Sequence, residues 1–278
     1  MKLSQYIFLF LFIIILSCNN SRNNDNTPKQ TIGVNNSDLS IENNITEEFT
    51  YINNPKSSDK TCISDIEKAK TDIQNGKLSI VYTNYEVANM RYQYFIEKLC
   101  NEYGLSFKID FINDVIEENQ TQGCYKSYMD KVITDSLGLN FKKNLENKAD
   151  SLYLSALLKE NHAEWYFRCD TKPKPILNKR EYFETTLTLK DLDVKQNPKG
   201  NVWPAIDIEF IIEPNGKITH TTSDNFMPKI SYNSKFKDTL YSIGIKYIKT
   251  NYPIWKPGKI RNRNVRTRNN VRLTFIGK

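Results

Sequence analysis

The chain has 278 residues, enough for one large domain or two small ones. Up to Asp170 it carries 18 Lys and Arg against 23 Asp and Glu; beyond it, 21 against 9, so an acidic part precedes a basic one, as two units with different surfaces would. The only two histidines, His162 and His220, exclude a His-rich metal site.

At the N-terminus, Lys2 precedes an apolar run, Leu3–Leu16, which is shorter than the roughly 20 residues that span a bilayer. "ILSC", Ile15–Cys18, ends the run with a small residue before a cysteine. This segment resembles a bacterial lipoprotein signal peptide, with Ile15 where Leu is commoner. The resemblance implies removal of residues 1–17, diacylation of Cys18 and a membrane partner through the lipid. No acidic cluster follows Cys18, so the expected location is the cell envelope, facing the periplasm, at the outer membrane. An uncleaved membrane anchor is the other reading. Residues 18–60 are rich in Asn, Ser, Thr and Asp and lack a helical or strand period, which makes a disordered tether. Such a tether reaches about 35 Å as a coil and beyond about 100 Å extended.

Residues 61–172 read as a small α/β domain. "CISDIEKAKTDIQNG" spaces Ile63, Ile66, Ala69 and Ile73 as a helix, and "KLSIVYT" is a short apolar strand. "EVANMRYQYFIEKLCNEYG" reads as one amphipathic helix. "LSFKIDFI" alternates Phe107, Ile109 and Phe111 as a second strand, which completes a β-α-β unit of parallel geometry. Two more helices follow, "CYKSYMDKVITDSLG" and "FKKNLENKADSLYLSALLKE", the second with an inward stripe of Leu145, Ala149, Leu152 and Ala156. "AEWYFRCD" is expected to be a last strand closing this region. With Cys18 lipidated, Cys62, Cys100, Cys124 and Cys169 remain, an even number that suits two disulfides in an oxidising compartment. Three pairings are open. The expectation favours Cys62 with Cys169, stapling the ends of the domain, and Cys100 with Cys124; free buried thiols are the alternative.

Residues 173–200, with "TKPKPILNKRE", form a Pro- and Lys-rich linker. The region 201–278 then reads as a small two-layer α+β module: a hairpin, a helix and a strand, giving one helix on a three-stranded antiparallel sheet. In the hairpin, Ile206, Ile208, Phe210 and Ile212 face one way and Asp207, Glu209 and Glu213 the other, with Gly216 supplying the turn. Phe236, Leu240, Ile243 and Tyr247 mark the helix stripe, and Pro253 bars its continuation. Val271, Leu273 and Phe275 alternate inward in the last strand.

"FIIEPNGKI" (Phe210–Ile218), "WKPG" (Trp255–Gly258), Val265 and "VRLTF" (Val271–Phe275) stand in an order that resembles the C-terminal domain of the energy-transducing protein TonB. The resemblance covers about the last eighty residues. A Gly usual a few residues after W-x-P-G is replaced near Asn262 or Asn264, and "NVWPAIDI" stands where a Tyr-Pro usually precedes the first strand. Gly216, Trp255, Pro257 and Gly258 are the structural motif, with Trp255 a lid over the sheet and Pro257 and Gly258 a corner. The resemblance implies a protein-interaction domain that binds an extended peptide by strand addition at the edge of the last strand, along Val271, Arg272, Leu273, Thr274 and Phe275. Lys256, Lys259, Arg261, Arg263, Arg266 and Arg268, with Arg272, form a basic set. It either steers an extended acidic peptide or an outer-membrane transporter component to that edge, or is a solvated face that protects an edge strand. Nucleic acid is not an expected partner outside the cytoplasm.

Two further readings remain open. One is a true energy transducer with an uncleaved spanning helix; the other is an enzyme or solute-binding protein acting through 61–172. No catalytic motif supports an enzyme. His162-Ala-Glu164 lacks the P-C-x-x-C of a zinc deaminase, and no nucleophile elbow, P-loop or dinucleotide fingerprint is present. Cysteine spacings of 38, 24 and 45 fit no compact zinc site, and no metal or cofactor is expected. Glu117–Glu118 reads as a carboxylate pair or a solvated loop, and Gln120, Gln122 and Tyr125 as pocket lining or support for a disulfide.

Overall fold

The computed structural model describes residues 49–115, 117–176 and 183–277. Leu3–Leu16, Cys18 and most of the expected tether lie outside the described residues; its end is corrected, because 49–53 is helical and Ile52 packs with Ile66 and Cys124. The chain is mixed α+β with several small sheets, and among the described residues no helix is long and apolar enough to cross a membrane.

The first elements are α1 (Lys60–Gln74), β1 (Ser79–Thr83), α2 (Asn84–Ala88), α3 (Gln93–Glu102), β2 (Ser106–Asp110), α4 (Cys124–Leu137) and α5 (Phe141–Glu160). β1 and β2 pair in parallel from Ser79 opposite Ser106 to Thr83 opposite Asp110. Val81 packs with Ala69, Tyr125 and Met129 on the α1 and α4 side. Ile80 and Tyr82 pack with Ile96, Leu99, Cys100, Leu145 and Ala149 on the α3 and α5 side. Three sequence expectations change here. The single helix over 86–104 is two, because Thr83 and Glu86 form a capping box that starts α2 directly after β1, and α2 ends at Asn89. β2 ends at Asp110, and Phe111 is 78% exposed rather than inward; Asn84 Oδ1 accepts the Ile112 amide at 3.0 Å and draws the chain off the strand line. α5 buries Leu145 and Ala149, but then Leu154 and Leu157 instead of Leu152. Its second half turns a different face toward Cys169, Ile260 and Val265.

The disulfide is Cys62–Cys124, with Cα atoms 5.2 Å apart. The favoured pairing of Cys62 with Cys169 and Cys100 with Cys124 is thereby corrected. Layering explains why: Cys62 and Cys124 pack together with Ile66 and Ile52, whereas Cys100 lies in the core on the opposite side of β1. Cys169 packs with Ile260 and Val265. Cys100 and Cys169 are free and buried.

The larger sheet contains β6 (Ala205–Ile212), β7 (Ile218–Met227) and β11 (Thr267–Gly277), with α6 (Lys237–Asn251) on one face. β6 pairs antiparallel with β7 and β11. Ile206, Ile208, Phe210 and Ile212 are fully buried under Leu240 and Ile248 of α6, so the period-two pattern reads true. Two short strands extend this sheet beyond the three expected: β3 (Glu164–Trp165) and β5 (Thr186–Leu189), both parallel to β11. "AEWYFRCD" therefore does not close the β1–β2 region; its two-residue strand joins the other sheet and a 3-10 turn, Tyr166–Arg168, follows. β4 (Lys174–Pro175) pairs with β8 (Trp255–Lys256), and β9 (Gly258–Ile260) with β10 (Arg263–Val265) in a hairpin.

Candidate functional site

Trp255 sits where a lid belongs. It is 7% exposed, its ring centroid lies 5.3 Å from Phe210 and 5.7 Å from Phe183, and its indole N–H donates to Tyr252 O at 2.9 Å. Gly216 has φ +82° and its carbonyl accepts the Trp255 amide at 2.9 Å. A Cβ there would stand 2.1 Å from Trp255 O, so the turn requires glycine. Gly258 is needed for closeness, because a Cβ would meet Thr267 Cγ2 at 2.6 Å. The replaced glycine also has an account: the β9–β10 turn is Arg261–Asn262, both at positive φ, 48° and 62°. Asn tolerates this left-handed region better than most residues.

The proposed peptide edge, Val271–Phe275, is not an open edge. β5 pairs with β11 from Thr274 to Gly277, and β3 pairs with Thr267 and Arg268. Thr274 and Phe275 are therefore removed from any edge site. Between the two resident strands, residues 269–273 pair with no strand on that side among the described residues. The Phe275 amide donates to Pro204 O at 2.9 Å, toward β6, and the Thr274 amide to Thr185 O at 2.8 Å, toward β5. Backbone direction alternates along a strand, so the outward-facing amides and carbonyls of the gap belong to Asn270 and Arg272. They meet no strand among the described residues. Val271 and Leu273 point instead into the α6 core.

One end of this gap carries an aromatic shelf that the sequence reading missed. Trp165 and Phe167 stack at 5.8 Å and 21°. The Arg268 guanidinium stands 5.2 Å over Trp165 and that of Arg168 5.9 Å from Phe167, a cation–π ladder. Phe167 is 43% exposed. Glu164 anchors the shelf from below: burial pushes its carboxyl up, it accepts from the Trp165 amide at 2.7 Å, and the Tyr153 hydroxyl donates to it. The signal in the sequence was the aromatic run Trp165-Tyr166-Phe167.

The basic set does not form one free patch. Arg272 makes two bonds to Asp207, at 2.8 and 2.9 Å, and that guanidinium holds the Asp207 carboxyl below its usual range. Arg266 pairs with Glu213 at 3.1 Å and Arg268 with Glu209 at 3.4 Å. Arg261 donates its amide to Asp170 at 2.7 Å and approaches Asp150 at 3.6 Å. Both acids are gripped by Arg91, at 2.7 Å each, so one network ties the break after α2 to the β9–β10 hairpin. Lys256, Lys259 and Arg263 have no ion pair among the described residues.

The other candidates dissolve into structure or solvent. His162 is exposed beside Glu160, away from the buried Glu164. Gln122 bonds the Asn113 amide and the Val115 carbonyl, holding a loop, and Tyr125 shares a three-way contact with Lys108 and Asp72 at 2.7 Å each. Glu117 and Glu118 are exposed. Among the described residues no group of His, Cys, Asp and Glu is placed to hold a metal. No family model, no curated protein and no solved structure matches this chain.

Proposed function

We propose that the protein is a lipid-anchored, periplasm-facing interaction protein, accessory to TonB-dependent transport. Its C-terminal module, TonB-like in kind, takes an extended acidic peptide by strand addition. The observation that carries this reading is the stretch of β11 between β3 and β5 that pairs on that side with no strand among the described residues. Its two outward-facing residues, Asn270 and Arg272, offer backbone donors and acceptors about 7 Å apart within a five-residue stretch of about 17 Å. The strand order β7-β6-β11 with α6 and Trp255 on one face supports the module assignment, and the Cys62–Cys124 disulfide supports an oxidising compartment. The acidic preference rests on Lys256, Lys259 and Arg263, which have no ion pair among the described residues, and on the guanidinium-capped shelf. Two measurements test the parts separately. Mass spectrometry of the membrane-extracted protein should find a diacylglyceryl-modified Cys18 as the first residue; an intact Met1 overturns the anchor. A displayed library of acidic heptapeptides should yield binders that fail when alternate peptide amides are N-methylated. Binders indifferent to N-methylation, or none above a neutral library, overturn strand addition.

A further inference from the structure

A second concavity, far from β11 in its logic, lies at the corner where α4 passes into α5. It measures about 550 Å³, within the range of small-molecule sites. Leu145, 3% exposed, is part of its lining. Tyr103, Leu137 and Leu139 line it and are 52, 44 and 60% exposed. Single exposed apolar side chains are ordinary, but three converging on one hollow are a patch left for something to cover. Phe141 meets Tyr103 edge to face at 5.4 Å and 86°, so part of the wall is aromatic and the rest is leucine.

The polar part has one sign. Among the described residues no acidic side chain lines the hollow. Lys148 Nζ stands 5.6 Å from the Tyr103 ring centroid and has no carboxylate partner among the described residues. Asn140 starts α5 without capping it, and the first turn of α5 carries no acid. Lys142 of that turn is spent elsewhere, on Asp130 at 2.9 Å and on Val81 O. Lys143 of the same turn is exposed and does not line the hollow; among the described residues the cation in the lining is Lys148.

We propose that this concavity binds a small amphipathic carboxylate, with its apolar body against Tyr103, Phe141, Leu137 and Leu139 and its carboxylate toward Lys148. An aromatic or short aliphatic body suits walls of this kind, and one anionic group suits a single unpaired ammonium. A neutral ligand leaves Lys148 unanswered; an ion without a body leaves the apolar walls wet. The proposal is independent of peptide docking at β11 and survives its failure.

The test is titration of the full chain with phenylacetate, phenylacetamide and acetate, read by amide chemical shifts. A ligand of this size binds in the millimolar range. Phenylacetate should give saturable shifts confined to Tyr103 and residues 137–148, about tenfold tighter than phenylacetamide or acetate. Lys148→Gln should bring phenylacetate to the level of the amide without moving the melting temperature, since the residue is exposed. Leu139→Ser should weaken both aromatic probes alike. Shifts scattered over the surface, equal responses to phenylacetate and acetate, or a Lys148→Gln variant that binds phenylacetate unchanged would each overturn the proposal.

Discussion

Replacing Trp255 by alanine tests the packing of the C-terminal module. The indole is nine-tenths buried between Phe210 and Phe183 and spends its N–H on Tyr252 O. A buried tryptophan removes roughly 150–250 Å² from water, about 4–6 kcal/mol at 25 cal/mol per Å². Alanine keeps a small part of that, the cavity adds to the loss, and the hydrogen bond from the indole to Tyr252 O is lost. Partial collapse of Phe183, which is anchored outside the sheet, offsets some of it. The expected cost is about 4 kcal/mol. With a urea slope of about 2 kcal/mol per M, the unfolding midpoint read by circular dichroism falls by about 2 M. Trp255→Phe keeps a ring and loses only the hydrogen bond and some area, so it should cost less than half as much. A loss below about 1 kcal/mol for the alanine variant would refute the lid and return Trp255 to the surface as a binding residue.

Peptide mapping without reductant should recover Cys62 linked to Cys124, and removing that bond with paired serines should cost about 4 kcal/mol for a span of 62 residues; an unchanged melting temperature contradicts it. Cys100 and Cys169 should resist a thiol reagent until the protein unfolds, because burial pushes their thiols up to about 11 and about 12; fast labelling of the folded chain counts against their placement. Asp59 sets an acid limb. Burial alone would raise its carboxyl, but bonds from Thr121, Tyr51 and the Cys62 amide outweigh it and hold it at about 2, against an ordinary 3.8. A depressed folded value means stability present above pH 3.8 and lost as pH falls toward 2. Asp59→Asn should cost about 2 kcal/mol at pH 7, falling to a few tenths at pH 2; parallel pH curves for the two proteins would refute the assignment.

The sequence was legible where burial is periodic and local. Ile206, Ile208, Phe210 and Ile212 alternate on one side of a strand, so period two alone finds the core face. Pro253, just past the end of α6, and Gly216, at φ +82° in the hairpin turn, act through local geometry. What was not legible is non-local. β3 and β5 are two and four residues long, and each finds β11 more than eighty residues away. Segments that short carry no period. The edge they cover therefore looked free. The cysteine pairing depended on which side of β1 each helix packs, and that is decided by tertiary contacts. Phe111 alternated correctly, but the strand ended one residue before it. One signal was within reach: Asp207 and Glu209 face outward on β6, Arg268 and Arg272 outward on β11, and antiparallel pairing sets Asp207 directly opposite Arg272. The basic set is largely answered by that register.

Amide hydrogen exchange at Asn270 and Arg272 tests the central claim most directly. Both amides face outward and meet no partner among the described residues, so in the free chain both should exchange far faster than the amides of Val271 and Leu273, which point at β6. A saturating acidic peptide selected from the library should slow Asn270 and Arg272 and leave Thr274, already held by Thr185 O, unchanged. If both amides are slow before any peptide is added, or the peptide binds without slowing either, the open stretch of β11 is not the docking site.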